Sequence, residues 1–279
     1  MLKSIKFLFL SFLIFSINVN SQTLKLMTYN IRLDVQSDGE NSWDHRKEKL
    51  ASQIRFYEPD ILGLQECLPN QINFLDSNLE NYNHVGIGRD GKDKGESSSI
   101  FFISKKFSVL KQNTFWLSPT PDLISKGWDA ALNRICTYAI FENKITKQNF
   151  WVFNTHLDHI GEVARAKSVE LILKIIKSEN QNNLPVIFMG DFNATPETEF
   201  ILNLKKEMID TKDFSKSKPF GPIGTFNNFE FDKPVTKRID YIFTSNSSKI
   251  IINKYAVLSD SDNLKYPSDH LPVYVEIDF

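Results

Sequence analysis

Short apolar runs of strand length recur along the whole chain. They are rich in β-branched and aromatic residues and are broken by polar and turn residues, a pattern that favours β-strands. The runs cover residues 24–31, 61–64, 99–103, 137–141, 150–153, 186–189, 239–243, 250–257 and 273–277. Three stretches between them repeat apolar residues at helical spacing instead. The pattern therefore predicts an α/β chain with many strands.

The first predicted helix begins near Trp43, with Ser42 as its N-cap, and Pro59 ends it. Its apolar face carries Leu50, Ile54 and Tyr57. A second helix is predicted over residues 163–177, and a shorter one follows Pro196. The face of the second helix carries Ala166, Val169, Ile172, Leu173 and Ile176.

The N-terminus has the pattern of a secretory signal. Lys3 and Lys6 precede an apolar run over residues 7–17, and small residues follow. The run is shorter than the roughly 20 apolar residues that a membrane-spanning helix needs. We therefore expect a signal peptide over residues 1–21, a mature domain over residues 22–279, export to the periplasm or beyond, and no stable membrane insertion afterwards. A buried N-terminal helix or a retained anchor is the alternative.

Composition and charge bound the classes of function. The 23 Phe residues and the 13% aromatic content provide apolar surface for a large core, and no Pro-, Gly- or Ser-rich linker divides the chain. A net charge of −1 argues against a protein that binds duplex nucleic acid through a broad basic face, but it leaves room for a local phosphate site. For Cys67 and Cys136 a small buried apolar role is favoured, and export leaves a disulfide open.

Polar residues end several of the predicted strands, where a rigid sheet usually presents chemistry. Four residues stand at such ends: Asn30, Glu66, His156 and Asp191. Hydrolysis of a phosphate ester needs a hard cation with oxygen ligands, a positioned water and a donor for the leaving oxygen. Suitable oxygen ligands are Glu66, Asp191, Asn193 and Asp269. Because no cysteine joins them, Mg²⁺ is expected, with Mn²⁺ as an alternative, rather than a soft transition metal.

Two histidines are candidates for acid and base roles, His156 and His270. Asp240 stands at the start of a predicted strand, where it could accept a hydrogen bond from an imidazole and orient it. We therefore predict an Asp240–His270 pair. Each fragment alone is more typical of a turn or a cap, so the prediction depends on the ordered set.

The ordered set consists of Met27-Thr28-Tyr29-Asn30-Ile31-Arg32, Leu64-Gln65-Glu66, Asn154-Thr155-His156, Gly190-Asp191-Phe192-Asn193-Ala194, Arg238-Ile239-Asp240-Tyr241-Ile242 and Ser268-Asp269-His270-Leu271-Pro272-Val273. It resembles the endonuclease/exonuclease/phosphatase superfamily, which includes deoxyribonuclease I, inositol polyphosphate 5-phosphatases and poly(A) deadenylases. The resemblance covers the mature chain. It implies a four-layer α/β sandwich, in which two mixed β-sheets pack face to face with helices outside and the site lies at one rim.

The resemblance also implies roles on the metal side of the site. Asn30, Glu66 and Asp269 would lie near the cation, and Glu66 would be its principal ligand. Whether one or two cations act stays open, as does the order of proton transfers.

Five further residues receive catalytic roles from the resemblance. Asp191 would orient or activate the attacking water, and Asn193 would hold a phosphoryl oxygen. His156 would contact the phosphate or assist the leaving group, while Asp240 and His270 would form the dyad.

Residues 88–96 and 128–134 resemble a bacterial secreted branch of the superfamily. There Glu96 stands where relatives have an acid that can pair with His156, and Arg134 suits a bidentate grip on phosphate. Both are candidates for the substrate-phosphate site. A flexible charged loop and a surface ion pair are the respective alternatives.

We therefore expect an exported phosphodiesterase or nuclease that attacks phosphorus with an activated water, acting on nucleic acid or on a small phosphorylated molecule. The alternative is a phosphatase of sugar, inositol or lipid-head-group phosphates. The loop over residues 221–229 carries two Phe residues that could stack a base, favouring the nuclease, or could anchor packing. A non-catalytic binding relative is a third possibility, although the site residues are all present. No obligate protein partner is expected.

Overall fold

The computed structural model describes residues 23–247 and 250–279, and these form two six-stranded β-sheets. The first sheet contains, in spatial order, β11 (Ile251–Val257), β12 (Val273–Asp278), β1 (Leu24–Asn30), β2 (Ile61–Gln65), β4 (Ile100–Ile103) and β3 (Tyr82–Val85). The second contains β5 (Phe107–Trp116), β6 (Ile135–Asn143), β7 (Asn149–His156), β8 (Val186–Asp191), β10 (Asp240–Ser245) and β9 (Met208–Asp210). Both sheets are mixed, because β1 pairs with β2 and β7 with β8 in parallel while the other pairs are antiparallel.

Four α-helices of the described part cover the outer faces of the sheets. They are α1 (Trp43–Tyr57) and α2 (Pro69–Asn78) against the first sheet, and α3 (Glu162–Glu179) and α4 (Glu199–Glu207) against the second. A 3-10 helix, Gln36–Asn41, precedes α1. Side chains alternate along each strand between the two faces of a sheet. Leu26 of β1 thus packs between the sheets, whereas its neighbour Met27 packs under α1. The result is the expected four-layer sandwich.

All nine predicted strands are present, and the elements that were missed lack a strong apolar pattern. β5 is an edge strand whose middle, Lys111–Asn113, is polar and exposed, and β9 is only three residues long. The predicted start of α1 is right, but the Ser42 hydroxyl forms no capping hydrogen bond. The helix ends at Tyr57, and its C-cap Glu58 adopts a left-handed conformation just before Pro59.

The two cysteines lie on different sheets. Cys67 follows β2 and Cys136 lies in β6, and the structure describes both as buried free thiols. The favoured prediction of a small buried apolar role is therefore right, and no disulfide joins the pair.

The predicted signal peptide lies outside the described residues. Among the helices of residues 23–247 and 250–279, none combines the length and apolar character that a membrane crossing requires.

A buried polar contact joins the sheets directly beneath the rim. The Asn154 side chain of β7 donates from Nδ2 to the Leu64 and Ser99 carbonyls of the first sheet, both at 2.9 Å. Its Oδ1 accepts from Gln65 Nε2 at 2.7 Å. Gly63 makes room for this amide, since a Cβ there would lie 2.8 Å from Asn154 Oδ1. Because buried amides must be satisfied, the contact favours one register between the sheets.

Gly190→Ala tests how tightly the strands that carry the rim are packed. Gly190 has φ +146°, and a Cβ there would lie 2.0 Å from the Thr155 carbonyl oxygen of β7. We expect the substitution to lower the free energy of unfolding by about 2 kcal/mol or more, measured by urea denaturation.

Gly39→Ala is the matched control, because Gly39 also has a positive φ, of +55°, but no described atom would lie within 4 Å of its Cβ. Backbone strain alone should cost about 1 kcal/mol there. Equal losses for the two variants would show that the close approach of β7 and β8 is not the dominant constraint.

Candidate active site

The rim is formed where strands of both sheets begin or end. β1, β2, β7 and β8 run toward it and finish there, whereas β10 and the antiparallel β12 start from it. A cleft of about 510 Å³ opens at this rim. Its walls include eight of the ten predicted residues: Glu66, Glu96, Arg134, His156, Asp191, Asn193, Asp269 and His270. The other two, Asn30 and Asp240, are buried directly beneath and contact Asp191 and His270 respectively.

Asp191 is the point on which the other groups converge. Its Oδ2 accepts a hydrogen bond from Asn30 Nδ2 at 3.0 Å. The same oxygen lies 3.5 Å from His156 Nε2 and 3.7 Å from His270 Nε2. Burial raises the pKa of Asp191 above its usual range, and the charge of Asp240 adds to the effect. A carboxylate with a raised pKa is a stronger base than an exposed one.

His270 and Asp240 form the predicted pair, with Nδ1 of the imidazole 2.9 Å from Asp240 Oδ2. Burial lowers the pKa of His270, but the carboxylates of Asp240 and Asp191 outweigh burial and raise it to about 10. His270 is therefore a cation at neutral pH. The ring of Phe226 packs edge-on against it, with the centroids 5.1 Å apart.

The pKa of His156 is shifted in the opposite direction from that of His270. Burial lowers its pKa well below the usual range, and the charges of Arg134 and His270 add to this. Asn193 Nδ2 donates to the Leu157 carbonyl and lies 3.0 Å from His156 Nε2, so that ring nitrogen accepts. The proton is then on Nδ1, which is buried without a hydrogen-bond partner among the described residues.

Glu66 and Asp269 provide the oxygen ligands that suit a hard cation. Glu66 accepts from Asn30 Nδ2 and from the Leu33 N–H, each at 3.0 Å, and forms no salt bridge within the described residues. Burial raises the pKa of Asp269, and the charge of Glu66 raises it further. The nearest cation to Asp269 is Arg32, with Nη1 3.9 Å from Oδ2. Among the residues that the structure describes, the buried Asp269 and the partly buried Glu66 form no close ion pair shorter than that contact, and two such carboxylates fit a divalent cation that takes oxygen ligands.

A different cluster, Asp191, Asp240 and His270, has ligand atoms that all lie within 4.8 Å of one another. There the His270 cation already lies beside both carboxylates, so the Glu66 and Asp269 side fits a metal better. Asn30 presents its amide nitrogen to the carboxylates, while its Oδ1 accepts from the Arg32 N–H. In this arrangement Asn30 orients the ligands, and its role as a ligand itself stays a prediction.

Glu96 does not pair with His156 in the structure. It forms an ion pair with Arg89 instead, at 2.7 Å, and both side chains are largely buried. A guanidinium carries a full charge and is the better partner for a buried carboxylate than a neutral imidazole. The loop over residues 88–96 is therefore pinned by a buried pair, and a phosphate role for Glu96 stays a prediction.

Arg134 is also buried, at 5% exposure. Its Nε donates to Asp158 Oδ2 at 3.3 Å, and its Nη2 lies 3.0 Å from His159 Nδ1. The fork formed by Nε and Nη2 is thus already occupied, which leaves Nη1 as the nitrogen without a partner in the described part of the chain. A phosphate role for Arg134 stays a prediction.

Sequence reasoning missed Arg46, a buried guanidinium in α1. It donates to the carbonyls of Ile31, Arg32 and Pro267, and so it ties the segment after β1 to the segment that carries Asp269. Its spacing was the available signal, because Arg46, Leu50 and Ile54 lie four residues apart on one helix face. A charged residue on an apolar face needs buried partners.

The loop over residues 221–229, before β10, contacts both members of the Asp240–His270 dyad. Thr225 Oγ1 accepts from the Ile239 and Asp240 N–H groups, at 3.0 and 3.1 Å. The next residue, Phe226, packs on His270 as described. Of the two expectations for this loop, packing anchor and base-stacking platform, the contacts of Phe226 fit the anchor.

Three comparisons relate the chain to known proteins. The model of the Endonuclease/Exonuclease/phosphatase family matches residues 27–270. The solved mannosyl-6-phosphatase of Bacteroides thetaiotaomicron VPI-5482 is 38% identical, with a TM-score of 0.86 over 92% of this chain and 100% of that one. An uncharacterized protein of Acanthamoeba polyphaga mimivirus is 29% identical over 57% of this chain and 62% of its own length. The CCR4-Not complex 3'-5'-exoribonuclease subunit Ccr4 of Kluyveromyces lactis is 23% identical over 83% of this chain and 37% of its own length.

The chain thus spans between 37% and 62% of the length of these two curated relatives. The match of the family model, by contrast, runs from the middle of β1 to the last residue of the dyad, His270. It includes all ten candidate site residues, from Asn30 to His270. The chain belongs to the endonuclease/exonuclease/phosphatase family.

Proposed function

We propose that this protein is an exported, Mg²⁺-dependent phosphatase that hydrolyses monoesters of a small phosphorylated molecule of sugar size. Phosphoester hydrolysis itself follows from the family. The observation that carries the proposal is the convergence of Asn30, His156 and His270 on one oxygen of Asp191, beside a metal-suited carboxylate pair. Such an arrangement provides a base, a fixed cationic donor and a place for a phosphate within one cleft.

The sequence alone favours a phosphodiesterase or nuclease over a phosphatase of small monoesters. The proposed monoester preference reverses that order. It is supported by the mannosyl-6-phosphatase at 38% identity. The edge-on packing of Phe226 on His270 is consistent with this preference, because it gives one of the two Phe residues of the loop a packing role.

Glu66 and Asp269 would hold the cation, which would supply charge neutralisation for the phosphoryl oxygens. Asp191 binds the attacking water and takes its proton, and the raised pKa of its buried carboxyl makes that transfer easier. The water attacks phosphorus directly, in line with the leaving oxygen; the P–O bond to that oxygen breaks, and the released alkoxide takes a proton from solvent.

His270 stabilises the charge that develops on the phosphoryl group. It remains an imidazolium because Asp240 holds its Nδ1–H, so its other ring N–H is available as a charged donor. Asn193 is fixed by its contacts with His156 and the Leu157 carbonyl, next to the base. Its backbone N–H holds Asp191 Oδ1 at 2.9 Å and so orients the carboxylate toward the water.

A nuclease is the second candidate. Phe229 lines the cleft and could contact a base, and the matched Ccr4 is an exoribonuclease subunit. Cleavage of a diester in preference to a monoester would favour it.

Glu66→Ala tests the metal side of the site. We expect a loss of roughly 100-fold or more in Mg²⁺-dependent turnover of p-nitrophenyl phosphate, because the cation loses its principal ligand. Chelation of the wild-type protein should have the same effect, and bis(p-nitrophenyl) phosphate should be the poorer substrate.

Glu170→Ala, at a 64% exposed position on α3, is the control and should retain wild-type turnover. Turnover that survives both chelation and Glu66→Ala would overturn the metal-dependent proposal. A strong preference for the diester would move the nuclease to first place.

The pKa values of the two histidines should be shifted in opposite directions, that of His270 upward and that of His156 downward. In metal-free protein, ¹⁵N-detected imidazole NMR should show His270 protonated up to about pH 10 and His156 neutral at pH 6. Asp240→Asn should lower the pKa of His270, because the largest charge that raises it is removed. An unshifted His270 in the wild-type protein, titrating near pH 6.5, would remove its role as a charged donor.

The proposed export can be tested by expressing the full chain and measuring the mass of the exported form. When the full chain is expressed with its own N-terminus in a bacterium with a periplasm, we expect a soluble exported form that begins near Gln22, identified by intact mass. Recovery of the uncleaved chain from the cytoplasm or membrane would show that the first 21 residues are not a cleaved signal.

A further inference from the structure

A chain of three polar side chains flanks the catalytic residues, and the mechanism above does not use it as a unit. It consists of Asp158, Arg134 and His159, in order of contact. The Asp158 carboxylate, 1% exposed, accepts from Arg134 Nε and from four backbone N–H groups: Ala131, Leu132, Ile160 and Gly161. Burial raises the pKa of Asp158, but these hydrogen bonds outweigh burial and lower it below the usual range. Asp158 is therefore an ionised anchor that fixes Arg134.

The contact between Arg134 and His159 determines where the proton of His159 is. A guanidinium has donors only, so His159 Nδ1, 3.0 Å from Arg134 Nη2, must accept. A neutral imidazole that accepts at Nδ1 carries its proton on Nε2. Within the described residues, Nε2 of His159 has no hydrogen-bond partner. Because His159 lines the cleft, the chain presents one oriented N–H donor to a bound substrate.

The position of His159 separates this donor from the phosphoryl site. His156, Asp269 and His270 are all buried deep in the cleft, whereas His159 is exposed at its mouth. Leu132 lines the same cleft and is 37% exposed, and its N–H shares the Asp158 carboxylate with Arg134. A sugar ring has apolar C–H faces and hydroxyl groups around its edge. Leu132 could pack against such a face while the His159 N–H donates to a hydroxyl oxygen.

We propose that His159 is a specificity-determining residue, whose Nε2–H donates to a hydroxyl oxygen of the leaving group and so favours sugar phosphates over phosphates of simple alcohols. The inference rests on the proposed phosphatase function and names the part of the substrate that this residue recognises. A donor that is already held in place loses little conformational entropy when a hydroxyl binds. An ester without that hydroxyl leaves the donor unpaired and is disfavoured.

The test compares kcat/KM for a hexose 6-phosphate with kcat/KM for n-hexyl phosphate, an ester of similar size without hydroxyl groups. Mannose, glucose and galactose 6-phosphates are screened first, and the best of them is used. We expect His159→Ala to lower the ratio of the two kcat/KM values about tenfold, mainly through KM for the sugar ester. His159→Gln should restore most of the ratio, because its amide can accept from Arg134 and still donate.

His84→Ala is the control, since His84 lies outside the cleft and pairs with Asp76. It should keep the wild-type ratio. An equal loss of both activities in His159→Ala, or an unchanged ratio, would overturn the assignment of His159 while leaving the phosphatase intact. If the wild-type protein hydrolyses neither monoester with Mg²⁺, that result would contradict both the proposed function and the assignment of His159 that rests on it.

Discussion

One amide holds the site together. The side chain of Asn30, at the end of β1, donates from Nδ2 to Glu66 of its own sheet and to Asp191 of the other, each at 3.0 Å. The two carboxylates would otherwise repel each other across the junction between the sheets. A single buried donor between them keeps the metal side and the water side of the cleft at a constant separation. The Asn154 contact one layer below prevents the sheets from sliding apart.

Burial and neighbouring charges then give the two imidazoles of the site different protonation states. Removing charge from water raises the pKa of a carboxyl group and lowers that of an imidazole, unless a partner compensates. Burial and the charges of Arg134 and His270 keep His156 neutral although Asp191 lies 3.5 Å away, whereas His270 has two carboxylates beside it and is a cation. The same fold thus produces a neutral and a charged imidazole on either side of Asp191. In the proposed mechanism, this difference would let the Asp191 carboxylate act as a base while the His270 imidazolium faces the developing phosphoryl charge.

The sequence predicted what strong local patterns determine. Most of the nine strands were recognisable because their side chains are buried on both faces, and the edge strand β11 because it is rich in branched and aromatic residues. Polar residues at strand ends meet because neighbouring strands share one rim. The edge strand β5 was missed because its exposed middle has a polar sequence that a loop could also have. The partners of Glu96, Arg134 and Arg46 depend on how loops fold back over the sheets, and no periodicity encodes that. Glu96 was accordingly given the wrong partner.

In the proposed mechanism Asp191 delivers a water directly to phosphorus, with no covalent enzyme intermediate. The stereochemical course at phosphorus tests this step, using a thiophosphate monoester made chiral with ¹⁸O and hydrolysed in ¹⁷O-water, which releases chiral inorganic thiophosphate. A single in-line attack by water predicts inversion of configuration. Retention would mean that two displacements occur through a phosphorylated side chain, and it would contradict the role assigned to Asp191.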